Sequence, residues 1–246
     1  MTTAERQYLG TYDPSKYERI AVTVDLVLMS VVDGALHALL IRRDDHPAKG
    51  KWALPGGFVL MEENLDQAAR RILRDKARLP AAYLEQLYTF GDVKRDPRMR
   101  VITVAYFALL PKARIEDALK ASPELSLTKV TTSWSGETGG SANTLAADGA
   151  KLSLAFDHAD ILGLAVKRLR GKLDYSQVGF ELLPPRFTLR QLQEVHEAIQ
   201  GVRFNKPAFR RRMLDKGVLE ACGVFEEGAA FRPAELYCFA RPKHKQ

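Results

Sequence analysis

The chain has 246 residues, 46% of them hydrophobic and 27% charged, a composition that excludes a disordered or low-complexity protein and leaves room for two hydrophobic cores. The net charge of +7 is unevenly placed, because residues 186–246 hold twelve Lys and Arg against seven Asp and Glu, so the positive field sits at the carboxyl end. Cys222 and Cys238 are the only cysteines, too few for a disulfide scaffold. The longest apolar region, residues 20–41, is broken by Asp25 and Asp33 and reads as paired strands, not as a membrane span. The amino terminus lacks a basic stretch followed by an apolar one, so a cytoplasmic protein with no membrane partner is expected.

From Ile20 the pattern runs as strand, Asp33-Gly34, strand, and Asp-Gly between two β-rich runs is hairpin chemistry. The Pro- and Gly-rich stretch RRDDHPAKGKWALPGGF follows as a loop. From Asn64 to about Ala77, Leu65, Ala69, Ile72 and Leu73 recur at helical spacing. LEQLYTFGD and RVITVAYFALL read as strands, joined by a polar loop that concentrates Lys94, Arg95, Arg98 and Arg100. Strands flanking a helix predict a layered α/β or α+β domain. Between Pro111 and Leu152 the text becomes rich in Gly, Ser, Thr and Ala and predicts an extended loop or irregular hairpin. Ile161, Leu164, Ala165, Leu169 and Leu173 then mark a connecting helix with one apolar stripe, Asp157 as its N-cap and Pro184-Pro185 beyond it to stop it.

After the prolines, Thr188 and Gln191 form a capping-box pattern, Leu189, Leu192, Val195 and Ile199 make a buried stripe, and Gly201 is a C-cap. A second helix starts at Asn205 with Pro207 in its first turn and ends at Gly217. Two capped helices separated by a short turn predict a helix-turn-helix, and residues 219–242 fit two strands around a Gly-containing tip, a wing. On a helical wheel Phe209, Met213 and Leu214 define the buried side of the second helix, and Ala208, Arg211, Arg212 and Asp215 lie opposite. Arginine suits guanine edges and phosphates. The candidate contacts to double-stranded DNA are therefore Arg211 and Arg212, then Arg210, Lys206, Arg190 of the first helix and Arg232 of the wing. A single winged helix reads a palindromic operator best as a homodimer.

KWALPGGF, the helix after it and QLYTFGDVKRDPRMRVITVAYFAL resemble the Nudix fold, whose signature is G-x5-E-x7-R-E-U-x-E-E-x-G-U, with U aliphatic. Gly57, Glu63, Arg71, Leu73 and Leu79 fall on it; its first glutamate position holds Ile72, its paired glutamates Asp75 and Lys76, and its glycine Arg78. The resemblance implies that Glu63 and Arg71 brace the loop against the helix, and that carboxylates at positions 72, 75 and 76 would hold Mg²⁺ against a diphosphate. Their i, i+3, i+4 spacing puts all three on one helix face. Here that face carries an alkyl group, one carboxylate and one ammonium, so metal-assisted hydrolysis is expected to be lost or vestigial. No catalytic residue, metal or cofactor is assigned, and the nucleotide contacts expected are Arg95, Arg98, Arg71 and Gly57.

Over nearly the whole chain the sequence is similar to the Nudix-related transcriptional regulators, dimeric bacterial proteins. The resemblance implies an α+β architecture, a Nudix-like α/β/α sandwich followed by a winged helix-turn-helix domain. The sensor would span residues 1–155, a connecting helix and linker 156–186, and the DNA-binding domain 187–246. It also implies a repressor that senses ADP-ribose or a related nucleotide in control of NAD or sugar metabolism. The alternative is a Nudix hydrolase of ADP-ribose or another nucleoside diphosphate derivative, with Asp75, Glu62 or Glu63 holding metal.

Overall fold

Both residues of the Asp33-Gly34 turn have positive φ, 48° and 70°, as a type I′ turn requires, and the flanking strands meet at Val32 and Ala35. The computed structural model describes residues 1–173, 182–226 and 233–240. Helix α1 (Thr3–Thr11) precedes β1 (Ala21–Val32), β2 (Ala35–Arg42), β3 (Trp52–Ala53), β4 (Gly56–Phe58) and α2 (Leu65–Asp75). Then come β5 (Glu85–Phe90), β6 (Val101–Leu109), α3 (Lys112–Ala121), β7 (Leu125–Thr132), β8 (Ala142–Leu145), β9 (Lys151–Leu152) and α4 (His158–Lys172). The strands form one sheet in the order β5-β6-β1-β2-β7-β8-β9, with β3 beside β2 and β4 beside β1. Strands β1 and β6 run parallel from Ala21–Val101 to Met29–Leu109.

Both faces of this sheet are covered, which is why β1 is apolar at successive positions instead of alternating. On one face Val24, Leu26 and Leu28 pack with Ala69, Ile72 and Leu73 of α2 and Ile115 of α3. On the other, Val27 and Met29 pack with Ile161, Ala165 and Leu169 of α4. The helix expected as a connector therefore forms one layer of the sandwich. It lies so close to the chain at Gly140 that a Cβ on Gly163 would sit 1.9 Å from the Gly140 carbonyl oxygen. The segment expected as a loop or irregular hairpin contains the hairpin of β7 and β8, but also α3 and β9. Strand β7 hides behind polar letters: Thr128 is fully buried and donates its hydroxyl to the Ala38 carbonyl at 3.2 Å. Among the described residues no helix is long and apolar enough to cross a membrane.

Asn64 and Gln67 cap α2 reciprocally. At its other end Arg78 has φ 57° and the Leu79 N–H donates to the Leu73 carbonyl at 3.1 Å, the helix-end geometry that favours glycine. The arginine thus occupies the left-handed conformation for which the signature keeps a glycine. The loop before α2 is held by the predicted brace. Arg71 Nε donates to Glu63 Oε2 and an Arg71 terminal nitrogen to the Phe58 carbonyl, both at 2.9 Å, while Glu63 Oε1 accepts the Leu60 N–H at 2.8 Å.

The C-terminal unit comprises β10 (Phe187–Thr188), α5 (Leu189–Gln200), α6 (Lys206–Asp215), β11 (Leu219–Phe225) and β12 (Glu235–Phe239), with sheet order β10-β12-β11. Phe187, Leu192, Phe209, Met213 and Tyr237 form its core. The Thr188–Gln191 box, the Gly201 C-cap at φ 71° and the Asn205 N-cap are all present. Leu214, expected on the buried side, is 38% exposed; α6 buries only Phe209 and Met213, an i, i+4 pair that suffices against so small a sheet. Val195 and Ile199 of α5 join the core of the first domain, so the first helix of the helix-turn-helix packs on both units. Arg232 lies outside the described residues.

Two predictions follow from the ends of α2. Arg78→Gly is expected to raise the unfolding free energy by about 1 kcal/mol, since the Arg78–Glu124 pair it removes is 3.9 Å long and partly exposed and contributes little; urea unfolding that shows no gain would contradict this. The Arg71 hydrogen bond holds the Glu63 carboxyl down at about 2. A folded value below the unfolded one gives stability that is complete above about pH 5 and lost as pH falls towards 2. Glu63→Gln should flatten acid unfolding across that window, and superimposable profiles for the two proteins would show that the brace does not titrate with folding.

Candidate ligand cleft and nucleic-acid interface

A cleft of about 780 Å³ opens between β1, β4, the C-terminal end of α2, the loops at residues 43–46 and 95–98, and the start of α4. Its floor is a buried cluster of charges. Arg95, its side chain 5% exposed, donates from Nε and a terminal nitrogen to the two oxygens of Asp157 at 2.9 and 2.8 Å and lies 3.5 Å from Asp25. Asp25 Oδ2 accepts the Thr103 hydroxyl at 2.7 Å. The other oxygen of Asp25 explains Gly56, where an added Cβ would sit 2.1 Å from it. His158 Nδ1 accepts the Leu54 N–H at 2.9 Å, and its Nε2 is 3.7 Å from Asp25. Burial pushes the His158 pKa down against the pull of Asp25, so the imidazole is neutral and carries its proton on Nε2.

Of the nucleotide contacts expected from the sequence, Arg95, Arg98 and Gly57 line this cleft and Arg71 does not. Arg95, expected to face a diphosphate, is neutralised inside the protein, because Asp157 uses its carboxylate on Arg95 and makes no side-chain cap of α4. Arg71 is committed to the brace and does not line the cleft. Arg98 does line it: its guanidinium pairs with Asp96 at 2.8 Å and sits 5.4 Å above the Phe58 ring. Gly57 forms part of the wall, with Ile72 3.6 Å from where its Cβ would be. The opposite rim, unforeseen from the sequence, stacks Arg43 5.0 Å from the ring centroid of Phe156, a residue in the left-handed region at φ 52°. The signal for the charged floor is Asp25, a carboxylate at a buried position of a mostly apolar strand.

The three helix positions that would hold Mg²⁺ do not converge. Ile72 is wholly buried in the core, Asp75 is paired with Arg74 at 2.8 Å outside the cleft lining, and Lys76 lines the cleft. Glu63 is taken by Arg71, and among the described residues no group of three or more His, Cys, Asp or Glu could hold a metal ion. The residues present do not fit a magnesium site.

At the other end of the molecule, Ala208, Arg211, Arg212, Asp215 and Lys216 line an open depression on the exposed face of α6, the side chosen by the helical wheel. Arg212 leans back on the turn, its guanidinium 5.3 and 5.5 Å from the Phe204 and Phe209 rings. Arg190, Lys206 and Arg210 line a separate groove between α5 and α6, and Arg190 pairs with Glu194 at 2.9 Å. Between cleft and α6 lies Arg170 near the end of α4, 6% exposed. Its Nε donates to the Ile199 carbonyl at 2.9 Å, its terminal nitrogens to Thr132 Oγ1 at 3.2 Å, Gly136 O at 3.3 Å and Trp134 O at 3.4 Å, and it stacks 4.7 Å from the Trp134 ring.

Comparison with known proteins matches both halves. Residues 21–132 match the NUDIX domain model and residues 179–239 the NrtR DNA-binding winged helix domain. The ADPR responsive transcriptional repressor NtrR of Acinetobacter baylyi is 39% identical over 240 residues, 97% of this chain and 89% of that protein. The crystal structure of Shewanella oneidensis NrtR complexed with a 27mer DNA is 35% identical, with a TM-score of 0.71 over 89% of this chain and 93% of that one. The NUDIX domain of the same protein complexed with ADP ribose is 33% identical, with a TM-score of 0.50 over 69% of this chain and 99% of that one. With one relative matched over almost its full length and both domains in the same order, the chain belongs to the NrtR family, in which a Nudix domain precedes a winged helix.

Proposed function

We propose that this protein is a transcriptional repressor that binds a palindromic operator as a homodimer through its winged helix and senses ADP-ribose in the Nudix cleft without hydrolysing it. The observation that carries this reading is α4. Its first residue, His158, lines the cleft, and Arg170 near its end holds the last turn of α5. The relatives support the two ends of the scheme: one is named an ADPR responsive transcriptional repressor, and the Shewanella protein is described with DNA and, in its NUDIX domain, with ADP ribose. The residues argue against the hydrolase alternative, because Ile72 and Lys76 occupy two ligand positions and Glu63 is committed to Arg71. A cleft rimmed by two cation–aromatic stacks suits a ligand with both a base and phosphates.

The reading is tested by titrating operator DNA, selected from genomic fragments, with and without ADP-ribose. Arg211→Ala is expected to weaken operator binding by roughly tenfold or more while leaving ADP-ribose affinity unchanged. Normal operator binding by both Arg211→Ala and Arg212→Ala would remove α6 as the recognition helix. Coupling is expected to run through α4. Arg170→Lys keeps the charge and loses the planar fork, so it should bind DNA and ADP-ribose separately within a few-fold of the parent yet show a smaller ADP-ribose-induced shift in the DNA isotherm. An unchanged shift would place the coupling elsewhere.

A further inference from the structure

The cations of the cleft differ in whether the protein has already neutralised them. Arg95 is bound by Asp157 and Asp25, and Arg98 by Asp96. Lys76 is exposed, lines the same cleft from the C-cap of α2, and its ammonium makes no ion pair or hydrogen bond with any described residue. It stands one helical turn beyond Ile72, whose side chain packs beneath Gly57 of the cleft wall. The neighbouring carboxylate, Asp75, is drawn to Arg74 and does not line the cleft. The one polar group that α2 sends into this wall is therefore a positive charge, placed where the signature of the fold would have a carboxylate.

We propose that Lys76 anchors the diphosphate of the bound nucleotide and takes the electrostatic place of a divalent cation, so that effector binding is independent of metal. The inference rests on the cleft being the nucleotide site. An ammonium is a compact charge with three donors, suited to oxygens shared by two phosphates. It is tethered to the chain, so its occupancy does not vary with the free Mg²⁺ concentration, and its charge opposes entry of a second cation beside it. Arg98 on the facing loop is held by Asp96, and Arg43, which has no carboxylate partner among the described residues, spends its donors on the Pro47 and Asp45 carbonyls and lies against the Phe156 ring, which leaves Lys76 as the cleft cation with all its donors unspent. A sensor built this way reports nucleotide concentration alone.

The test is calorimetric titration of the full chain with ADP-ribose, in excess EDTA and in excess Mg²⁺, for the parent and for Lys76→Met, Lys76→Arg and Lys76→Glu. The parent is expected to bind equally in both buffers. Lys76→Met should weaken binding about ten- to a hundredfold in both, Lys76→Arg should retain most of it, and Lys76→Glu should bind worst in EDTA and recover in part with Mg²⁺. Adenosine, which has no diphosphate, should bind the parent and Lys76→Met alike. Parent binding that requires Mg²⁺, or Lys76→Met binding at parental strength, would overturn the assignment of Lys76 while leaving the cleft as the nucleotide site. Absence of parental binding in both buffers would overturn the cleft reading and the Lys76 assignment with it.

Discussion

The Arg95–Asp157 pair fixes where α4 begins, and α4 fixes the placement of everything after it. A nearly buried guanidinium making two hydrogen bonds to one carboxylate, with Asp25 at 3.5 Å, is retained only if both charges are matched, because removing either partner strands the other in the interior at a cost of about 3–5 kcal/mol. Asp25 is in turn satisfied by Thr103 and faces the neutral His158. The first turn of α4 is thereby tied to β1, to β6 and to the loop after β5. Its middle buries Ile161, Ala165 and Leu169 in the sandwich core, and its end receives α5 through Arg170. The electrostatics of the cleft floor and the position of the winged helix are consequences of one helix.

Most of the local structure was legible because its causes are local. The Asp33-Gly34 turn, the Thr188–Gln191 box, the Asn205 cap and Gly201 each act within a few residues, and each folds as its chemistry requires. The floor of the cleft was not legible for the opposite reason. Arg95 and Asp157 are 62 residues apart, and nothing within the loop distinguishes Arg95 from Arg98 until Asp157 is brought alongside. The same holds for β7, where Thr128 is buried by pairing with β2 instead of by apolarity, and for α4, whose stripe cannot reveal which sheet it will cover. Arg71 makes the brace and stands outside the lining of the cleft.

The altered signature separates mechanical positions from chemical ones. Glu63 and Arg71 hold the loop to α2 by hydrogen bonds that involve no ligand, so they persist whatever the cleft does. Position 72 behaves differently. Ile72 is completely buried beneath Gly57 among Leu26, Ala69 and Leu73, a place where a carboxylate without a counter-cation would carry a large desolvation penalty. An alkyl side chain at this position and a cleft without a cation beside it are therefore mutually consistent, since an uncharged residue there needs no counter-ion. Arg78 shows that the reverse also occurs: its left-handed backbone remains although the glycine that suits it has gone, because two backbone hydrogen bonds at the helix end require that turn, those of the Ala77 and Leu79 N–H groups.

An effector can shift DNA affinity only to the extent that it binds two arrangements of the protein unequally, so a regulator of this design needs a contact between its halves that has more than one arrangement of similar energy. The junction of α4 with α5 combines two kinds of contact. Val195 and Ile199 enter the sandwich core, and displacing them would expose apolar surface. Arg170 instead meets carbonyl and hydroxyl oxygens from α5, the end of β7 and the 133–141 loop, with no carboxylate among the described residues to hold it. Hydrogen bonds to neutral oxygens exchange with small net change in free energy, whereas a buried ion pair would lock the junction. The apolar contacts tie the winged helix to the sandwich, and the guanidinium adds contacts that can be exchanged at small cost. At 15 residues the helix spans about 22 Å, so one rigid element runs from the buried charge at the floor of the cleft to the oxygens around Arg170.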